Sequence, residues 1–335
     1  MSFVRCVASL ALIVVPSVAG DGFQDLKPPA PVADGRIARL AAVDSLDCTP
    51  CHREVAEEWA TSLHALAWVD ELYQEELAEK KKPEGCWGCH VPVPLAGTDL
   101  SQKPAPREEL REHGVACVSC HLAPDGAILG PFGAETDAHR SVADARFGGA
   151  ESDALCAACH RTNVGPVLGV AKDFEVTEQA RKGRSCVGCH MAPIERPAAN
   201  TPPGAAPREL PKRAGRSHAL QTPRDPSFLA RAFELRASST DGRTRVELLN
   251  VSGHRVPGLI GRSLKVTAEV LDADGEVLAT RTVEVDSRSF VPVDEALAIE
   301  LEAVGPKVRL RGLHRDPRLE QPVEFLAREL DVAGR

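Results

Sequence analysis

The chain has 335 residues, a net charge of −8, and eleven cysteines and eleven histidines against only two methionines. That length allows two domains, but nine Phe, three Trp and one Tyr are thin core material for its size. The charge is split: residues 1–195 hold 18 basic and 28 acidic side chains, and residues 196–335 hold 22 and 20. This balance disfavours nucleic acid as a partner, because phosphate binding needs a basic face. The acidic half reads either as a solvated surface or as a field that steers a basic partner.

Residues 1–19 read as a signal peptide, with a positive start at Met1 to Arg5, an apolar run from Cys6 to Val15, and the small residues Ser17-Val18-Ala19 at the cleavage site. The apolar run is too short for a stable span, and no other segment is long and apolar enough to be one. Cys6 leaves with the signal. The mature protein is expected on the outer side of the cytoplasmic membrane, periplasmic or extracellular. Residues 20–40 then form an N-terminal linker.

From residue 41 to 195 the chain is organised by one motif, Cys-x-x-Cys-His. It recurs at Cys48–Cys51–His52, Cys86–Cys89–His90, Cys117–Cys120–His121, Cys156–Cys159–His160 and Cys186–Cys189–His190. Disulfides or zinc would not require a histidine after every second cysteine. The spacing is that of c-type haem attachment: two thiols add to the two vinyl groups of a porphyrin, and the histidine ligates iron from one side. Five covalently bound haem c groups are expected, with the five histidines as proximal ligands. Their flat apolar bodies would supply the core that the aromatic count lacks. Such attachment takes place after export, which agrees with the signal.

Successive first cysteines are 38, 31, 39 and 30 residues apart, a near-70-residue recurrence that suggests a duplicated two-haem unit followed by a fifth haem. Between the first two motifs, Arg53 to Glu79 reads as one helix, with Val55, Trp59, Leu63, Leu66, Leu72 and Leu77 on its apolar side. Lys80-Lys81-Lys82 reads as a solvated helix end. Residues 196–216, rich in Pro, Ala and Gly, read as a linker or surface wrap. In 217–335, Ser227 to Arg236 reads as a short helix. Strands follow at 243–250, 263–271, 276–286, 297–303 and 306–311. The expected fold is therefore a mainly α and loop domain packed around five haems, followed by a small antiparallel β-sandwich.

Six histidines remain to fill the far side of the irons: His64, His113, His139, His218, His254 and His314. Methionine is nearly excluded there, because Met1 leaves with the signal and Met191 adjoins the proximal His190. Two histidines per iron keep potentials low and block substrate from the metal.

The stretches Trp59-Ala60-Thr61-Ser62-Leu63-His64, Gly114-Val115-Ala116-Cys117, Gly130-Pro131 before His139, Cys189-His190-Met191, Arg216-Ser217-His218 and Asn250 to Gly258 resemble the multihaem cytochrome c superfamily. That group includes tetrahaem electron carriers and hydroxylamine oxidoreductase. The resemblance covers roughly residues 45 to 290. It implies His64, His139, His218 and His254 as distal ligands, the last two contributed by the C-terminal domain. His113, four residues before Cys117, is the fifth candidate, and His314 lacks a matching context. The related pentahaem nitrite reductases replace one proximal histidine by lysine, whereas all five motifs here end in histidine. Hydroxylamine oxidoreductase crosslinks its active haem to a tyrosine, and Tyr73 lacks that context.

These residues point to an exported carrier of electrons between redox protein partners, with no catalytic residues. Two alternatives stay open. One is a multihaem oxidoreductase, acting on a nitrogen oxide or similar small substrate, with one five-coordinate haem if His113 is not a ligand. The other is a subunit of an extracellular haem filament or larger cytochrome complex.

Overall fold

A computed structural model describes residues 46–163, 169–201, 204–206 and 209–334. The expected signal peptide and N-terminal linker lie outside them. The haem-motif part is built from short helices. Four motifs sit on a helical turn, in Glu84–His90 (α3), Cys117–His121 (α4), Asp153–His160 (α5) and Cys186–His190 (α8), and the first folds likewise, His52 N donating to Cys48 O at 2.9 Å. A helical turn is what the motif needs, because residues three apart share a face and both thiols then point the same way.

The single helix expected over 53–79 is two, Arg53–Ala60 (α1) and Glu71–Glu79 (α2). The interruption has local causes. Ala65 N donates to Ser62 Oγ at 3.3 Å, and Asp70 caps the second helix by accepting from Tyr73 N at 2.9 Å. The break places His64 on a bend.

Ile128–Gly130 (β1), Ala134–Glu135 (β2) and Arg140–Ala143 (β3) form a small sheet in the order β1-β3-β2. The expected linker is also structured: Pro193–Pro197 (β4) pairs antiparallel with Lys212–Arg216 (β5). Prolines are tolerated there because Pro193 and Pro197 stand at the strand ends. Arg196 pins this ribbon to α1 through Glu58, at 2.8 and 3.1 Å.

The helix expected from Ser227 runs only over Pro226–Ala230 (α9), capped by Asp225, and gives way to strand at Phe233. The remainder is a sandwich of two four-stranded sheets. One has the order β10-β7-β6-β13, made of Ala296–Leu301, Arg243–Asn250, Phe233–Thr240 and Ala333–Gly334. The other has the order β12-β11-β8-β9, made of Val323–Asp331, Lys307–Arg315, Ser263–Leu271 and Val277–Asp286. All pairings in them are antiparallel except the two-residue β13 on β6. Along β8, Leu264, Val266, Ala268 and Val270 are buried, the alternation expected when one face meets the other sheet. On β11 the inward series is Val308, Leu310, Gly312 and His314. A Cβ at Gly312 would stand 2.7 Å from the Phe325 ring, so the facing aromatic takes that space.

The main hydrophobic cluster lies mostly between these sheets, joined by Leu229 of α9 and by Val256 and Val291 of the loops, whereas the described haem-motif part holds only small ones, such as Leu46, Ala56, Trp59, Ala60 and Ala65.

Candidate haem sites

Backbone carbonyls orient several of the motif histidines. Nδ1 of His121 bonds Leu129 O on β1 at 2.7 Å, Nδ1 of His190 bonds Gln221 O at 2.7 Å, and Nδ1 of His90 bonds Ala67 O. A carbonyl at Nδ1 holds the proton there and leaves Nε2 as the nitrogen available to iron. Two of the expected distal histidines are tied the same way, His218 to Arg216 O at 3.0 Å and His254 to Arg255 O at 2.9 Å, while His139 Nδ1 shares a hydrogen bond with the Ser141 hydroxyl at 3.1 Å. Burial pushes His64, His190 and His218 down to about 4 and lowers His52, His90, His121, His160 and His254 as well. These rings are neutral at neutral pH, the form that ligates metal.

The structure brings the histidines together in pairs. Ring centres lie 6.3 Å apart for His52 and His139, 6.1 Å for His64 and His160, 6.2 Å for His121 and His218, and 6.2 Å for His190 and His254. Each pair joins one motif histidine to one of the four family-matched histidines. Metal–nitrogen bonds of about 2 Å on each side, plus roughly 1 Å from nitrogen to ring centre, span about 6 Å. The four pairs fit an iron between them. None of the ten motif cysteines is in a disulfide, so all are available for thioether bonds.

His90 differs. Its ring stacks on Tyr73 at 3.7 Å and 6°, and among the described residues no ring contact joins it to a second histidine. Arg111 lies over Trp87 and Trp68 beside this stack. His113 is buried in the turn Arg111–His113, with Glu112 and Arg107 as its charged neighbours. His314 is buried on β11, beside Arg262 and Asp316.

Several residues that hold the histidines carry no motif signal. Glu58, besides binding Arg196, accepts from His218 N at 2.8 Å. Asn250, fully buried, donates to His254 O and Val291 O at 3.0 Å each, and accepts from Ser252 N and Oγ, so it shapes the loop that presents His254. Gly253 lets that loop press on the helix Val170–Glu175 (α6), since a Cβ there would stand 2.6 Å from Phe174. Arg255 clasps Asp173 of α6 at 2.5 Å through both Nε and Nη2.

Thiols of different motifs are neighbours as well. Cys48 meets Cys117, Cys89 meets Cys159 and Cys156 meets Cys186 at hydrogen-bonding range, while Cys120 feels Cys156 electrostatically.

Motifs with anchored, neutral, paired histidines define a multihaem c-type cytochrome. Residues 47–122 match the family described as cytochrome c554 and c-prime. The fold is shared with a penta-heme cytochrome c552 from Thermochromatium tepidum, 18% identical, with a TM-score of 0.54 over 85% of this chain and 97% of that one. A dimeric latent PorU from Porphyromonas gingivalis aligns over 31% of this chain and 9% of its own, at 15% identity and a TM-score of 0.21. No curated protein is detectably similar to the chain. The match to a cytochrome c family over residues 47–122, together with the fold shared with a penta-heme cytochrome, supports covalently bound c-type haem and electron transfer. Among the described residues no helix is long and apolar enough to cross a membrane.

Proposed function

We propose that the protein is an exported pentahaem cytochrome that carries electrons between redox proteins, with four of its haems held by two histidines each. The observation that carries this reading is the set of four imidazole pairs at 6.1–6.3 Å. Bound haem supplies one-electron exchange between ferric and ferrous iron. The chain's own part is to close both axial positions, to increase ligand basicity through the Nδ1 bonds, and to keep the irons at low potential. The adjoining cysteines set which attachment edges touch: first to third, third to fourth, fourth to fifth, with the second meeting the fourth. That order favours a conduit from the first motif to the fifth, branching at the fourth.

The Tyr73 stack on His90 favours one amendment. In this reading the group attached at Cys86 and Cys89 keeps a coordination position that no paired histidine among the described residues closes, so it binds small ligands such as nitric oxide, as the oxidoreductase alternative requires. Electron paramagnetic resonance of the oxidised protein, with the haem count from a pyridine haemochrome assay, tests both statements. Four low-spin haems and one high-spin haem are expected. Five low-spin haems would withdraw the open position and restore His113, and fewer than four would defeat the paired ligation. Turnover of nitrite or hydroxylamine by the purified protein would favour the enzyme over the carrier.

A further inference from the structure

Where the sandwich meets the haem-motif part, Arg224, Arg262 and Arg318 gather around Asp316 and His314. Arg262 Nε donates to Asp316 at 3.1 Å, and Arg318 bonds Asp70 at 2.7 Å and stands 3.6 Å from Asp316. The Arg262 and Asp316 side chains are 6% and 0% exposed. Two carboxylates thus face three guanidiniums, and an unbalanced charge in so dry a place is costly. Burial, and secondly Arg262, pushes His314 down to about 4, so it adds no further positive charge.

The donors here are not used up. Nε and Nη2 of Arg224, Nη2 of Arg262 and both ring nitrogens of His314 are buried with no hydrogen-bond partner among the described residues. The Arg224 pair is the informative one. Those two N–H groups point in parallel from one edge of the guanidinium, the edge that matches the two oxygens of a carboxylate. Elsewhere in this protein the same edge is filled: Arg255 turns it on Asp173, and Arg146 turns it on Asp144 at 2.8 and 2.6 Å. Arg224 presents it, buried, to no carboxylate of the described chain.

We propose that Arg224, backed by Arg262, receives a carboxylate, the propionate of a haem held by this chain. The surroundings support that source. Gln221, three residues before Arg224, grips His190 through both backbone groups, at 2.8 and 2.7 Å. Asp70, bound to Arg318, lies three residues after Ala67, whose carbonyl anchors His90. The arginines therefore stand between the anchors of two motif histidines. The pairing keeps the propionate ionised and holds that haem's potential independent of pH. The inference rests on the haem attachment proposed above. A free carboxylate or oxyanion from solution would satisfy the same edge and is the competing source.

The test compares Arg224→Gln and Arg224→Lys holoprotein with native protein, each first counted for haem. In Arg224→Gln with its haem complement intact, one haem is expected to acquire a pH-dependent potential between about pH 5 and about pH 9. The dependence approaches a tenfold change in the oxidised-to-reduced ratio per pH unit, and redox-difference infrared spectra gain a protonated carboxyl band. Arg224→Lys, which keeps the charge and loses the edge, should show a smaller effect, and it carries the test if the glutamine variant does not fold. Acetate or sulfate added to native protein should change nothing. A shift with these anions that Arg224→Gln abolishes would overturn the propionate assignment in favour of a solution anion. Unchanged potentials in a fully haemylated variant would overturn the site altogether. A native haem count other than five defeats the attachment reading instead, and is read before any variant is made.

Discussion

At the scale of single residues, burial keeps His64, His190 and His218 neutral at neutral pH. His254 belongs to the sandwich yet faces His190 of the last motif. His254→Ala is expected to convert one low-spin haem to high-spin, read by paramagnetic resonance, with the other signals unchanged. Glu58 acts one step back, since its carboxylate holds both Arg196 and the His218 backbone. His314 allows a pH prediction. Its folded value is about 4 against an ordinary 6.5, so the unfolded chain takes up a proton first as pH falls. Its contribution to stability is full above about pH 6.5 and is lost progressively down to about pH 4. Replacing it by Leu should reduce the acid slope of unfolding by about one proton, measured by denaturation at several pH values.

At the scale of elements, the loops that carry ligands are held by close backbone approaches. Gly114 has φ +54, and a Cβ there would stand 2.3 Å from His64 O; its neighbour Val115 donates to that same oxygen at 2.9 Å. Gly114→Ala is therefore expected to displace the His64 bend and weaken the pairing with His160, turning that haem partly high-spin. What the chain disclosed in advance divides along similar lines. The strands at 243–250 and 263–271 were legible to the residue, because alternation survives when one face is buried. The break before Asp70 was also written, as an N-cap, but the apolar spacing ran through it and suggested one helix. Phe233–Thr240 was masked by the helix start at Pro226, and Val323–Asp331 by the helix-like charge pattern of an edge strand. The ribbon at 193–216 was hidden because its pairing depends on Arg196 reaching Glu58, far away in sequence. The motif histidines were plain, and four distal ones followed from resemblance. The Tyr73 stack on His90 depends on tertiary packing that no local pattern records.

At the scale of the molecule, two unequal cores are joined by polar clasps. Asp173→Ala leaves the half-buried Arg255 without its partner and should cost roughly 3 kcal/mol, loosening the His254 loop. Leu310, fully buried in the sandwich, should cost about 2–5 kcal/mol when cut to Ala. Chemical unfolding of that variant, followed by far-ultraviolet dichroism and by haem absorbance, is expected to show the sandwich and the His190 haem failing together. The acidic first half predicts a partner with a basic face, and association that slows steeply as salt is added, measured by stopped-flow electron transfer.

The four histidine pairs also have an order along the chain. The segment from His52 to His139 contains His64, the segment from His64 to His160 contains His121, and the segment from His121 to His218 contains His190, whose partner is His254. These arcs interlace like links, so every cut between His52 and His254 severs at least one pair, despite the near-70-residue recurrence of the motifs. Because synthesis proceeds from the first residue, the pair of the third motif must wait for His218 and that of the fifth for His254 in the sandwich. The sandwich is therefore expected to act as a lock fitted at the end of assembly: a chain truncated before it keeps all five motifs but lacks His254.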